Sequence, residues 1–253
     1  MEGSMPHHLP EFLGIGVQKG GTTTLQRLLE RHPQVWLPPE KEVHFFSRHY
    51  ARGCQWYADR FAAARPDQHC GEITPYYVFH PQAARRIAAL LPQVRLIVLL
   101  RDPVERCLSQ YFHACRHGFE MLPLEAALDA EQERLAGADA VLSDPAGAHR
   151  SHQENSYLAR SRYGEQLDRY EQIFAREQLL VLRSEDLFDD GANVWQRVQQ
   201  FLELDAIPFP QSVKPANAGQ GEAAAVPERL KQQLRAQLAP TYRAIQERYG
   251  IGW

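Results

Sequence analysis

The chain has 253 residues, 44% of them hydrophobic and 23% charged, with a formal net charge of −3. That length buries enough apolar surface for one sizeable core, and the composition is that of an ordinary globule. The slight acidity offers nucleic acid and anionic membrane surfaces no general hold, and no stretch approaches the roughly 20 apolar residues of a membrane span.

The first residues, MEGSMPHHLPEF, carry neither a basic segment nor an apolar signal-peptide core. Residues 1–10 are therefore read as a flexible N-terminus, and 11–253 as a single domain. An apolar β-type run, Phe12 to Val17, breaks at a turn holding Lys19, Gly20 and Gly21. Thr22, Thr23 and Thr24 follow, and Leu25, Leu28 and Leu29 then share one helical face. Pro38 and Pro39 punctuate the next segment, and Gln55 to Ala64 and Pro81 to Leu91 read as helices. His69 to Phe79 contains a short strand that ends before Pro75. Val94 to Leu100 is apolar at every position but Arg95, the pattern of a strand buried on both faces of a parallel sheet. Asp102 is placed to cap the following helix, and Pro103 suits its first position.

Leu124 to Leu135 is a helical pattern, and residues 137–153 dissolve into a mobile surface loop. Asn155 to Arg176 reads as a long amphipathic helix with a break near Gly164. Gln178 to Leu187 holds a third strong strand, a helix follows from Val194, and Pro208 to Pro227 forms a loop before the final helices. Strands alternating with helices predict an α/β fold of three layers: a central parallel β-sheet flanked by helices. The four cysteines, Cys54, Cys70, Cys107 and Cys115, have no C-x-x-C spacing. That argues against a zinc or redox site and for a reduced, cytoplasmic setting.

A strand entering a glycine turn that opens a helix is an anion site. Free backbone N–H groups and the positive helix end point at one spot, where glycines admit a phosphate closely. Lys19 adds a full charge, and Thr22 and Thr23 add hydroxyl donors. Ligands of such sheets bind outside the carboxyl ends of the strands. Arg101, which ends the second strong strand, shares that rim with Lys19, and Ser109 follows on the next helix. A guanidinium fork and a hydroxyl suit a second phosphate; the alternatives are a salt bridge from Arg101 to Asp102 or Glu105 and a helix-surface role for Ser109.

Together these segments resemble the sulfotransferases that use 3′-phosphoadenosine 5′-phosphosulfate (PAPS). GVQKGGTTTL is similar to that family's 5′-phosphosulfate loop, and RDPVERCLSQY to its 3′-phosphate motif. PEKEVHFFSRHY and GEITPYY bring the chain nearest the branch of the heparan sulfate sulfotransferases and related bacterial sulfotransferases. The resemblance covers about Glu11 to Phe112 most specifically. It implies a P-loop-like fold and PAPS as cofactor, with adenosine 3′,5′-bisphosphate as product and no metal required.

In that scheme the 5′-phosphosulfate lies on Lys19, Gly20, Gly21, Thr22, Thr23 and Thr24, with Lys19 at the bridging oxygen that becomes negative. Arg101 and Ser109 hold the 3′-phosphate. Glu42 is the catalytic base for an acceptor hydroxyl or amine, and His44 assists or orients it. The expected partner is such an acceptor: a carbohydrate, a tyrosine-containing peptide or a natural product. At two positions where heparan-acting relatives carry a lysine and an aspartate, this chain has Ile73 and Ser47, which counts against heparan itself.

Two other readings fit less well. A Walker-type kinase needs G-x-x-x-x-G-K-[ST], whereas Lys19 precedes its glycines and Arg101 stands where a strand-end aspartate is required. A non-catalytic nucleotide-binding module needs Lys19 and Arg101 but no base, so Glu42 is the discriminating residue.

Overall fold

Five parallel strands form the centre of the protein: β1 (Phe12–Gly16), β2 (Val35–Trp36), β3 (His69–Ile73), β4 (Arg95–Leu100) and β5 (Leu179–Arg183). Their spatial order is β2-β3-β1-β4-β5. Gly14 faces Ile73 on one side and Ile97 on the other, and Val98 faces Val181. This computed structural model describes residues 9–210 and 221–253.

Helices in the first half are α1 (Thr22–Leu29), α2 (Phe45–Arg48), α3 (Gly53–Ala58), α4 (Ala83–Leu90), α5 (Pro103–Arg116), α6 (Leu124–Asp129) and α7 (Glu131–Leu135). The second half adds α8 (Ala138–Ser143), α9 (Arg150–Glu154), α10 (Tyr163–Glu171), α11 (Asp186–Asp189) and α12 (Gly191–Phe201). It ends with α13 (Glu228–Gln237) and α14 (Ala239–Tyr249).

The pleat of β4 explains its unbroken apolar run. Leu96, Val98 and Leu100 enter the core on one face, with Phe45, Tyr77 and Leu167. Ile97 and Leu99 enter the other, with Leu25, Leu28 and Trp195. Alternate side chains of one strand thus serve two cores, so neither face tolerates a polar residue. The expected three-layer α/β sheet is present. Asp102 caps α5 as expected, its Oδ1 accepting the Glu105 N–H at 2.9 Å, with Pro103 in the first turn.

Three expectations for residues 124–176 are corrected. Residues 137–153 are not a structureless loop; they form α8 and α9. Leu142 is buried, and the Arg86 guanidinium donates to the Leu142 and Asp144 carbonyls at 3.2 and 3.1 Å. Helices this short show no apolar period, so their anchors are invisible in the pattern. The long helix expected from Asn155 begins only at Tyr163. Before it, Arg106 takes the Tyr157 carbonyl, Arg160 takes those of His152 and Gln153, and Glu131 accepts the Leu158 and Ala159 N–H groups. Side chains there satisfy backbone groups that a helix would have used. The segment Leu124–Leu135 likewise divides at Ala130, into α6 and α7.

Within this region His152 and His80 are both buried. The His152 ring stacks on Phe79 at 4.2 Å, and its Nδ1 meets the Tyr76 hydroxyl at 2.8 Å. Burial, then the charge of Arg160, pushes His152 down to about 2; burial, then Arg86, pushes His80 down to about 3. Both are neutral when folded, whereas the unfolded chain takes up their protons below the ordinary value of 6.5. Their contribution is therefore complete above pH 6.5 and is lost as pH falls. Unfolding free energy measured by denaturant titration is expected to drop on the order of 2–4 kcal/mol between pH 7.5 and pH 5. A flat profile over that range would contradict the neutral burial of these rings.

Candidate active site

β1 is the switch point of the sheet. The chain leaves it towards β2 and β3 on one side and takes up β4 on the other, which opens a crevice at the carboxyl ends of β1 and β4. Lys19 follows β1 and Arg101 follows β4, so neighbouring strands deliver the two expected cations to one rim.

The turn between them is built by sterics. A Cβ on Gly20 would stand 2.6 Å from the Leu99 carbonyl oxygen, so only glycine lets the turn rest against the end of β4. Gly21 has φ 87° and is the N-cap of α1, with no side chain capping the helix. The helix N-terminus therefore opens beside Lys19 with no side-chain cap. Thr22 and Thr24 are buried, and Thr23 is half-buried.

Cations gather around Lys19. Burial first, then Arg116, Arg101, Lys41 and Arg106, hold its ammonium below the usual lysine range. Arg101 Nη1 reaches the Lys19 carbonyl at 3.4 Å, and its Nη2 lies 3.7 Å from Glu105. The Arg101 backbone is braced: Tyr163 donates to its carbonyl at 2.9 Å, and Glu185, from the segment after β5, accepts the Asp102 N–H at 3.0 Å. Ser109 is half-buried on α5. Repelling cations beside an uncapped helix end are a donor set that fits a ligand carrying several negative charges.

Facing this rim is the turn before α2. Glu42 Oε2 stands 3.3 Å from His44 Nε2, and His44 Nδ1 stands 3.1 Å from Ser47 Oγ. Lys41 Nζ bridges the two halves, 2.8 Å from Thr23 Oγ1 and 3.3 Å from Glu42 Oε1. Burial would raise the Glu42 carboxyl, but the His44 hydrogen bond and the Lys41 charge outweigh it and keep it below the usual range. Glu42 is thus ionised at neutral pH. Burial, then Lys19 and the neighbouring His117 and Arg116, pushes the His113 ring of α5 down to about 4, while Glu42 pulls it upward. His113 therefore lies within the field of both Lys19 and Glu42. Among the described residues, Lys19, Glu42 and His44 are three of the four non-glycine residues with positive φ, at 68°, 63° and 56°. Such costly backbone gathers where geometry serves function.

A family model for the sulfotransferase domain matches residues 9–215. The chain belongs to the sulfotransferase family. Its relatives include the membrane-associated sulfotransferase kil1 of Dictyostelium discoideum, 28% identical over 84% of this chain and 59% of that protein. Human heparan sulfate glucosamine 3-O-sulfotransferase 3B1 is 33% identical over 81% of this chain and 49% of its own length. The sulfotransferase thus spans only about half to three-fifths of these two curated relatives. A crystal structure of a sulfotransferase from Alicyclobacillus acidocaldarius superposes with a TM-score of 0.73 at 26% identity, covering 95% of each chain. Family and fold class agree with the expectation drawn from the motifs.

The candidate site and its surroundings hold residues whose placement the sequence did not disclose. Lys41 stands beside Glu42 within a quoted motif, and only the fold brings it to Thr23. Arg116 lies at the far end of α5, where no local signal marks it, yet its charge acts on Lys19. Ser47 and Ile73 are both buried: Ser47 orients His44, and Ile73 packs in the core with Phe12 and Ile97. Residues 211–220, within the segment expected to form a loop, and residues 1–8 lie outside the described residues. Among the described residues no cluster of three or more His, Cys, Asp or Glu is placed to hold a metal, and no helix is long and apolar enough to cross a membrane.

Proposed function

We propose that this chain transfers a sulfuryl group from PAPS to a hydroxyl or amine of an acceptor. One observation carries the reading: Lys41 Nζ lies 2.8 Å from Thr23 Oγ1 and 3.3 Å from Glu42 Oε1, so the glycine turn that carries Lys19 and the ionised carboxylate of Glu42 share one site. Bound PAPS supplies the sulfuryl group and a good leaving group. Sulfuryl transfer resembles phosphoryl transfer in needing mainly in-line positioning and neutralisation of the leaving oxygen.

Lys19 neutralises the oxygen on which negative charge collects, while Gly20, Gly21, Thr22, Thr23 and Thr24 bind the phosphosulfate through the helix end. Arg101 and Ser109 bind the 3′-phosphate and so select this cofactor over ATP. Glu42 takes the acceptor proton, and His44 fixes its carboxylate. The scheme uses no metal.

A cavity of about 230 Å³ next to the turn that carries Lys19 is lined by Gln18, Arg48, Gln110, His113, Ala114, Phe119, Gln153 and Glu154, and we assign it to the acceptor. Amides, a carboxylate and an arginine set around Phe119 and Ala114 suit an acceptor that carries hydroxyls on an apolar frame, as a sugar ring does. The 3-O-sulfotransferase relatives, whose names specify a heparan sulfate glucosamine, support a carbohydrate; a tyrosyl peptide is the second choice. The four free thiols support a reducing, cytoplasmic setting.

The test is incubation with ³⁵S-labelled PAPS and a panel of sugars, tyrosyl peptides and small alcohols, with calorimetry of adenosine 3′,5′-bisphosphate binding. Label on a sugar and micromolar-range binding are expected. No labelled acceptor together with no nucleotide binding would sink the proposal.

A further inference from the structure

Behind the turn that carries Glu42 and His44 lies a carboxylate that the scheme above does not use. Glu72, in β3, is 2% exposed. Its Oε1 accepts the hydroxyls of Tyr57 at 2.7 Å and Tyr77 at 2.8 Å, and its Oε2 accepts that of Thr74 at 2.8 Å. All three donors are themselves buried. A hydroxyl has one proton, so once it is given to Glu72 the oxygen can only accept elsewhere. Thr74 Oγ1 accepts the His44 N–H and the Tyr77 hydroxyl accepts the Phe46 N–H, both at 3.3 Å. Two relays thus run from one buried carboxylate to alternate amides of the strained turn.

We propose that Glu72 is a positioning residue for proton transfer: it orients the Thr74 and Tyr77 hydroxyls so that they hold the His44 and Phe46 amides. It thereby fixes the left-handed turn that sets His44 against Glu42. The inference rests on the reading of Glu42 as the base. A neutral amide at position 72 reverses the relay. Its N–H faces the Thr74 oxygen, and the Thr74 proton loses its acceptor. Holding the base is worth this arrangement because a displacement of about 1 Å can cost roughly 10²-fold in rate.

The experiment compares Glu72→Gln, Thr74→Val and Thr74→Ser by three measurements. These are the ¹³C-detected titration of the Glu42 carboxyl, assigned with Glu42→Gln; the affinity for adenosine 3′,5′-bisphosphate; and the rate of labelled transfer. Glu72→Gln and Thr74→Val are expected to move the Glu42 midpoint up toward the ordinary carboxylate range, as His44 leaves its hydrogen bond. They should lower kcat about 10–100-fold and leave nucleotide affinity within about threefold, since the nucleotide rim is untouched. Thr74→Ser, which keeps the hydroxyl, should match the wild type throughout. A folded Thr74→Val protein with an unmoved Glu42 midpoint and unchanged kcat overturns the proposal, and it decides the matter even where Glu72→Gln does not fold. Should the wild-type protein label no acceptor, the functional reading fails while the Glu42 titration still decides the positioning.

Discussion

Replacing Lys19 with alanine lowers sulfuryl transfer by roughly 10²–10³-fold or more, the loss seen when one fixed donor to a developing anion is removed. Among the described residues, the neighbouring cations are engaged elsewhere. Arg101 is held towards the Lys19 carbonyl and Glu105, Lys41 is engaged with Thr23 and Glu42, and Arg116 is paired with Glu222. The substitution keeps a Cβ, so the left-handed backbone at φ 68° costs the same in both proteins. It also removes a half-buried cation crowded by Arg116, Arg101 and Lys41. The melting temperature should therefore hold or rise while activity disappears. Nucleotide affinity should fall by less than the rate, because the helix end, Arg101 and Ser109 remain. The check is a single-turnover rate beside a thermal melt; near-wild-type transfer in Lys19→Ala would remove the leaving-group role from the scheme.

The divergence between what the sequence disclosed and what it withheld follows from range. The strand, glycine turn and helix from Phe12 to Leu29, the buried run of β4 and the Asp102 cap each rest on neighbours within a few residues, so pattern alone carried them. Lys19 and Arg101 were placed together correctly because a parallel sheet puts all strand ends on one rim. Long-range partners left no such trace. Nothing local tells Arg116 that it will face Lys19, or Glu72 that three hydroxyls will converge on it. Residues 137–153 misled for a related reason. Their helices are held by a few buried anchors, Ala138 and Leu142 in α8 and His152 in α9, and by Arg86 from α4, too few for a repeating apolar pattern. The segment after Asn155 misled in the other direction, because its apolar residues are helix-like in spacing while Arg106, Arg160 and Glu131 occupy its backbone groups.

Replacing Glu42 with glutamine lowers kcat by roughly 10²–10⁴-fold, the usual contribution of a positioned base, while nucleotide affinity changes only a few-fold. The amide has nearly the carboxylate's shape and can still meet Lys41 and His44, so a loss of rate would report the missing proton acceptor. A pure nucleotide-binding module would bind equally well in both forms and label nothing in either. The pH dependence sharpens the distinction. Because His44 and Lys41 keep the Glu42 carboxyl below the ordinary value of 4.5 despite its burial, the base is ionised from about pH 5 upward. Its protonation would reduce the rate only as pH falls through that lowered value. The buried His80 and His152 begin to cost stability at a higher pH, below 6.5. Activity lost between pH 6.5 and pH 5 should therefore track the folded fraction, and the rate per folded molecule should stay level. A rate per folded molecule that declines with a midpoint near pH 6 would instead place the essential base on an imidazole. Glu42→Gln would then retain most of its turnover.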